Sequence, residues 1–148
     1  MPVLVTRKAP SSVSVRSVRV RTLAEKMLRH LDRQGQELSV LLTDDSFIRG
    51  LNGTHRGKDR PTDVLAFPLL PESAGEPGAP DQALLGDVVI SIDTAERQAR
   101  QRKHTLMDEI TFLLAHGILH LVGYDHQTDA DEAVMNAMTQ KLVQVAKS

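Results

Sequence analysis

Three histidines within eleven residues are the part of the chain best suited to chemistry. His116 and His120 are four residues apart, and His126 follows after Gly123. On a helix, side chains at i and i+4 project from one face about 6 Å apart along the axis, so two such imidazoles can bind one ion. A glycine can end the helix in a left-handed conformation, after which a third imidazole can turn back toward the other two. The segment therefore predicts a metal site.

The ligand types indicate a zinc ion in a catalytic setting. Three neutral imidazoles leave one position of a tetrahedral zinc ion open, which is typical of catalytic zinc sites rather than structural ones. The chain contains no cysteine, which excludes thiolate zinc sites, iron–sulfur clusters, disulfides and cysteine nucleophiles. A single histidine on an apolar helix is more often a hydrogen-bonded core residue. Three of them around a helix-ending glycine favour the metal.

The spacing leaves the class of protein open at this point, and two possibilities are considered. The histidine spacing occurs in metzincin proteases, which makes a peptidase or other hydrolase the first possibility. Those proteases carry a glutamate as general base directly after the first histidine, whereas this chain has Gly117 there, with no side chain to deprotonate water. The second is a non-catalytic protein whose zinc only stabilises the fold.

Hydrophobic periodicity predicts the elements that must position the histidines. Helices are expected over 16–33, 46–52, from 93 or 94 to about 103, over 105–122, and from 129 to about 147. Strands are expected over 37–43, 63–67 and 84–92, with polar turns around 52–58 and a Pro/Gly-rich loop over 71–82.

These elements predict an α+β fold in one domain over residues 1–148. We expect a small mixed four-stranded sheet, of which the periodicity locates three strands, packed with about five helices around a central buried helix that carries the metal ligands. The helix over 105–122 is the candidate for that centre because it is apolar nearly all round. No apolar run is long enough to span a bilayer, and no signal peptide is recognisable, so a cytoplasmic protein without a membrane partner is expected.

The charge is nearly balanced overall but uneven along the chain. The net charge of −1 excludes a uniformly cationic nucleic-acid binder. Residues 1–33 nevertheless hold eight Lys and Arg against two acids. From charge alone, solvated helix and loop residues are the preferred interpretation of this basic segment.

Three blocks of the sequence resemble the YbeY family, also called rRNA maturation factors. The blocks are HGILHLVGYDH over 116–126, HRGKDRPTDVLAFP over 55–68 and LGDVVI over 85–90. They occur in the family's order and at family-like spacing, so the resemblance covers nearly the whole chain. His55 stands where the family often has Tyr, and Ala66 where relatives often have Ser.

The resemblance implies a single-strand-specific endoribonuclease with one metal ion per chain, expected to be Zn²⁺. The implied role is maturation of the 3′ end of the small-subunit (16S) ribosomal RNA and late ribosome quality control. The alternatives to this metal-dependent nuclease are a metal-dependent peptidase or other hydrolase, and a non-catalytic ribosome assembly factor with structural zinc. The metal ligands carry over to His116, His120 and His126, and a functional arginine carries over to Arg56. The expected partners are single-stranded or ribosomal RNA and the ribosome or small-subunit proteins, and no DNA is expected.

Several further residues keep two interpretations. Asp125 could orient a ligand histidine or cap the following turn. Asp63 and Asp87 could support the site or be simple turn residues. Without the resemblance, Arg56 would be interpreted as a loop arginine paired with a nearby aspartate. RNA affinity is expected from the basic helix over 16–33 and from a second basic group, Arg97, Arg100, Arg102 and Lys103.

Overall fold

The computed structural model describes residues 3–7, 15–56, 63–68, 84–124 and 128–148. The elements within these ranges are β1 (Val3–Arg7), α1 (Ser17–His30), β2 (Glu37–Thr43), α2 (Asp45–Arg56), β3 (Val64–Pro68), β4 (Leu84–Ser91), α3 (Ile92–Arg102), α4 (Leu106–Leu121) and α5 (Asp129–Lys147). No helix in this part of the chain is both long and apolar enough to cross a membrane. The loop expected over 71–82 lies outside the described residues.

The four strands form one mixed sheet in the order β1-β2-β4-β3. Strands β1, β2 and β4 run parallel, and β3 runs antiparallel to β4. Together with the five helices of the described ranges, this sheet confirms the predicted α+β class. Strand β1 comes from a segment to which periodicity assigned no element. It pairs with β2 after the chain has crossed over through α1, as parallel neighbours require.

Two of the predicted boundaries that are wrong involve residues that often break elements. Helix α2 extends to Arg56 instead of ending at 52, so the turn predicted at Asn52-Gly53 is helical. Asn52 is buried there, which shows that tertiary packing overrides a local turn preference. Strand β3 includes Pro68, which was expected to stop it. An outer strand of a sheet tolerates proline because one row of its N–H groups needs no partner in the sheet.

Helices α3 and α4 both begin at a hydroxyl side chain. Ser91 Oγ accepts a hydrogen bond from the Thr94 N–H at 3.3 Å, so Ser91 caps α3 instead of the predicted Asp93 or Thr94. At the start of α4, Thr105 Oγ1 accepts from the Asp108 N–H at 3.0 Å, and the Asp108 carboxylate accepts from the Thr105 N–H at 3.3 Å. This reciprocal capping box fixes where α4 begins, and hence which α4 residues face the sheet.

The main core lies between one face of the sheet and helices α1, α4 and α5. The apolar stripe predicted for the first helix is buried in it: Val20, Leu23, Ala24, Met27 and Leu28. The sheet contributes alternate residues of its inner face, including Leu38, Val40, Leu42, Val88 and Ile90. Helix α2 covers part of the opposite face, where Ile48 packs with Leu65 and Val89.

Helix α4 approaches the sheet so closely that no side chain fits at position 117. A Cβ at Gly117 would lie 2.7 Å from Val88 Cγ1, 3.1 Å from Val88 Cγ2 and 3.4 Å from Val64 Cγ2. Val88 is fully buried and branched at Cβ, so its methyl groups have little freedom to give way. The missing side chain therefore sets the distance of α4 from β3 and β4.

We predict that Gly117→Ala destabilises the chain by about 1–2 kcal/mol. Overpacking against Val88 costs about 1–3 kcal/mol, and the better helix propensity of alanine offsets up to about 1 kcal/mol of that. Gly50→Ala is the matched control, because nothing lies within 4 Å of a Cβ at that helical glycine. It should stabilise the chain by about 0.5–1 kcal/mol. Urea unfolding measures both changes. Equal stabilisation by the two substitutions would contradict the close approach of α4.

Candidate metal centre

Phe112, His116 and His120 form a half-buried line along α4. They are spaced four residues apart, so they lie one above another on the same side of the helix. The α4 residues between these three positions are all buried. Helix α4 is thus covered around most of its circumference, and both histidines stand on the strip that is partly open.

The two imidazoles direct the same nitrogen at each other. His116 Nε2 and His120 Nε2 are 3.2 Å apart, the ring centroids are 4.7 Å apart, and the ring planes meet at 75°. Two nitrogens bound at about 2.0–2.1 Å to one tetrahedral zinc ion would be separated by about 3.3 Å. The pair therefore fits a divalent ion that prefers imidazole. A hydrogen bond between one protonated and one unprotonated nitrogen also accounts for this distance.

The end of α4 follows the prediction for Gly123. Its φ is +106°, a value that L side chains rarely adopt. The Tyr124 N–H donates to Leu119 O at 3.0 Å, and the Gly123 N–H donates to His120 O at 3.2 Å. These two bonds form a Schellman motif, which ends the helix at Leu121, one residue after His120, and turns the chain away from its axis.

His126 and Asp125 lie outside the described residues. Within the ranges that the structure does describe, no group of three or more His, Cys, Asp or Glu side chains could hold a metal ion. The pair of His116 and His120 is thus the described part of the predicted ligand set. His126 stays a prediction as the third ligand.

Gly117 bears on the peptidase alternative in a way that the sequence alone did not reveal. A side chain at this position would point into Val88 and Val64 on the sheet. The histidines on either side of it in α4 belong to the partly open strip. In this fold, a glutamate after the first histidine would have no room and would not face the histidine pair.

A buried carboxylate stands at the start of the same helix. The Glu109 side chain is fully buried, and Arg102 NH1 donates to its two oxygens at 3.0 and 3.3 Å. His104 Nε2 lies 2.6 Å from Glu109 Oε1. Sequence reasoning missed this cluster, although a glutamate inside an otherwise apolar helix was a visible signal. A buried carboxylate needs such partners, and here they come from the end of α3 and the turn after it.

The start of α2, the helix that ends at Arg56, is held by Asp45. Ser91 Oγ and Thr94 Oγ1 each donate to Asp45 Oδ1 at 2.6 Å, and Arg97 NH2 donates to Oδ2 at 2.8 Å. Burial alone would raise the pKa of Asp45, but these hydrogen bonds and the charge of Arg97 together hold it below its ordinary value. Asp45 thereby ties α2 to the junction of β4 and α3. The Arg56 side chain is outside the described part, so its role stays a prediction.

Comparisons with known proteins decide the family. A profile described as Endoribonuclease YbeY matches residues 6–147. The chain belongs to the YbeY family. An Endoribonuclease YbeY of Aquifex aeolicus is 50% identical over 118 residues, which cover 80% of this chain and 75% of the relative. The same-named protein of Pelotomaculum thermopropionicum is 38% identical over 148 residues, covering 97% of this chain and 95% of the relative.

A solved YbeY-like structure supports the same fold. The solution structure of TM1509 from Thermotoga maritima is similar with a TM-score of 0.65 and 28% sequence identity, covering 97% of this chain and 88% of that one. The YbeY relatives are named as endoribonucleases, which are enzymes that cut phosphodiester bonds within RNA. Family membership implies a metal cofactor. Within the part of the chain that the structure describes, His116 and His120 could bind it.

Two acids in the YbeY-like blocks, Asp63 and Asp87, lie in different surroundings. Asp63 accepts from the Val64 N–H at 2.8 Å and from Gln98 Nε2 at 3.2 Å, so it fixes the start of β3 against α3. Asp87 lies on the sheet face opposite α4, where it lines a cavity of about 570 Å³ with Phe47 and Phe67. The alternation of side chains along β4 therefore separates Asp87 from the histidine pair.

We predict that Asp45→Asn destabilises the chain by about 1.5 kcal/mol at pH 7, because hydrogen bonds to a charged acceptor are replaced by weaker ones. The folded pKa of Asp45 lies below its ordinary value of 3.8, so the carboxylate stabilises the fold above that pH. This contribution is lost as the pH falls through the folded pKa.

Urea unfolding of wild type and Asp45→Asn at pH 7 and pH 3 tests this dependence. The stability difference should shrink at the lower pH. Asp32→Asn is the matched control, since Asp32 is exposed in a turn with φ 59°, which asparagine adopts readily. A difference for Asp45→Asn that is independent of pH would show that its charge does not stabilise the start of α2.

Proposed function

We propose that this chain is a single-strand-specific, zinc-dependent endoribonuclease that matures the 3′ end of 16S rRNA and serves late ribosome quality control. The proposal takes residues 1–148 as one catalytic domain. The observation that carries it is the Nε2–Nε2 distance of 3.2 Å between His116 and His120, in a chain of the YbeY family. The proposed ligand set is His116, His120 and His126, with one ion per chain.

Zinc is proposed because the ligands are imidazoles and the chain has no thiolate to offer. An all-imidazole site would also accept nickel or copper. The choice of zinc therefore rests on the ligand chemistry and on which metal the cell supplies. When bound, the ion would lower the pKa of a water and polarise a phosphoryl oxygen. Because the two histidines are only half-buried, we propose that an RNA strand reaches the ion from their exposed side.

Arg56 is proposed to stabilise the negative charge that develops on the phosphate during cleavage. A guanidinium suits this role because its planar fork matches phosphate oxygens and stays protonated. Arg56 is the last residue of α2, and Asp45 anchors the first turn of that helix. The chain's own contribution to cleavage is thus to hold a cation on a rigid element beside the phosphate.

RNA affinity is proposed to come mainly from α1 and the residues flanking it. Arg16, Arg19, Arg29 and Arg33 are exposed there. The three arginines of the second basic group are paired within the chain, Arg97 with Asp45, Arg100 with Glu96 and Arg102 with Glu109. Sequence specificity is proposed to come from the ribosome or a small-subunit protein, which implies a cytoplasmic location.

We predict that His120→Ala loses both the bound metal and the cleavage of single-stranded RNA. Removing one of three ligands from a catalytic zinc site leaves too few donors to retain the ion. His30→Ala is the matched control, because His30 is exposed in the last turn of α1. Metal content by mass spectrometry and cleavage of a labelled RNA, with and without ribosomal subunits, are measured on the same samples.

Three results would contradict the proposal. Wild type that holds metal but cuts no RNA, even with ribosomal subunits present, would leave a zinc-stabilised assembly factor. A His120→Ala chain that keeps its metal and its activity would remove the histidine pair from the site. Cleavage of a peptide library instead of RNA would restore the peptidase alternative.

We predict that Arg56→Ala keeps the metal and lowers the cleavage rate about 100-fold or more, because a preorganised charge at the reacting group is lost. Arg56→Lys should recover only part of the rate, since an ammonium cannot form the bidentate contact. Arg19→Ala, at an exposed position of α1, is the control and should change salt-dependent RNA binding more than the rate. An unchanged rate in Arg56→Ala would remove this residue from the mechanism.

A further inference from the structure

Four residues of α4 form one line that leads from the buried carboxylate to the histidine pair. Glu109, Phe112, His116 and His120 are spaced three, four and four residues apart, which keeps them on one side of the helix. Arg102, the last residue of α3, reaches two members of this line from outside α4. The cluster that satisfies Glu109 is therefore connected to the candidate metal centre by side chains.

The first contact of the line is the ion pair between Glu109 and Arg102. Glu109 is fully buried, so its charge depends on the guanidinium, which is 48% exposed. Both carboxylate oxygens accept from Arg102 NH1, and Oε1 is also within hydrogen-bond distance of His104. This pairing holds the guanidinium in one place at the corner between α3 and α4.

The second contact is between the guanidinium and an aromatic ring. Arg102 Cζ lies over the Phe112 ring, 5.2 Å from its centroid, within the range of a cation–π interaction. The third contact is between Phe112 and His116, whose ring centroids are 6.4 Å apart with an interplanar angle of 20°. This geometry is an offset stack of two nearly parallel rings.

We propose that Phe112 is a positioning residue for His116, held in place by Arg102 and Glu109. The stacked ring limits rotation of the imidazole about its bond to Cβ, so that Nε2 points toward His120 Nε2 before an ion binds. Affinity for the metal then benefits because less side-chain freedom is lost on binding. The inference rests on the proposed metal site, and it concerns metal affinity rather than the cleavage step.

The test compares Co²⁺ affinity of the full chain, wild type against Phe112→Leu, by chelator competition and by the visible absorption of bound Co²⁺. Leucine keeps apolar bulk against the core and leaves the Glu109–Arg102 pair intact, but it removes the stack. Co²⁺ affinity should fall about two- to tenfold, the range expected for one aromatic contact. Phe112→Tyr, which keeps the ring, should bind as wild type does. If Phe112→Leu does not fold, Phe112→Met replaces it.

Phe47→Leu is the matched control for loss of packing. Phe47 lies on α2 over the opposite sheet face and lines the cavity with Asp87. Its substitution should lower thermal stability of the metal-free chain while leaving Co²⁺ affinity unchanged. A purely structural role of Phe112 would give both leucine variants the same pattern, and that result would overturn the inference.

A double-mutant cycle tests whether Arg102 acts through Phe112. Arg102→Lys keeps a positive charge for Glu109 but loses the planar group over the ring, so Co²⁺ affinity should fall by a factor similar to that of Phe112→Leu. In the Phe112→Leu background, the same change should have no further effect. Independent, multiplying effects would overturn the connection, as would wild-type affinity in Phe112→Leu. A wild-type chain that binds no Co²⁺ would instead overturn the proposed metal site itself.

Discussion

The close approach of α4 to the sheet at Gly117 is the constraint on which the candidate site depends. With no side chain there, the helix lies directly against Val88 and Val64, and most of its surface is buried. The remaining strip then carries the two histidines one turn apart. A residue with a side chain at 117 would push the helix outward and would shift both imidazoles relative to the strands. Packing and chemistry are thus set by the same residue.

The rest of the site depends on two anchors that are separate from this contact. Asp45 fixes the first turn of α2 to Ser91 and Thr94, at the point where β4 becomes α3. Glu109 fixes the α3–α4 corner through Arg102 and His104. Both are carboxylates that accept several hydrogen bonds, and each ties a neighbouring helix to one end of α3. The two helices that carry the proposed catalytic groups, α2 and α4, are therefore both fixed to α3.

Much of the fold was predictable because its elements have regular hydrophobic patterns. The strand over 37–43 and the helices around the histidines were located to within a few residues, since their periodicity is long and strong. Strand β1 was not located, because five residues at an edge give too little pattern. The turn predicted at Asn52-Gly53 was wrong because burial of α2 on the sheet outweighs local preference.

The candidate site also has features that were predictable from the sequence and features that were not. The histidine pair was predictable because a spacing of four within one helix determines which side chains meet. The Glu109 cluster was not, because its partners reach Glu109 only through the α3–α4 corner, where Lys103 adopts a left-handed conformation with φ 58°. Gly117 was recognised as the absence of a general base, but its role in packing required the position of Val88. Contacts between elements are not encoded in the periodicity of either one.

The most direct measurement is anomalous X-ray diffraction from crystals of the zinc-loaded chain at the zinc absorption edge. We expect one strong peak per chain, about 2.0–2.1 Å from both His116 Nε2 and His120 Nε2, with His126 as the third ligand. Zinc bound elsewhere, with the two imidazoles still hydrogen-bonded to each other, would contradict this expectation.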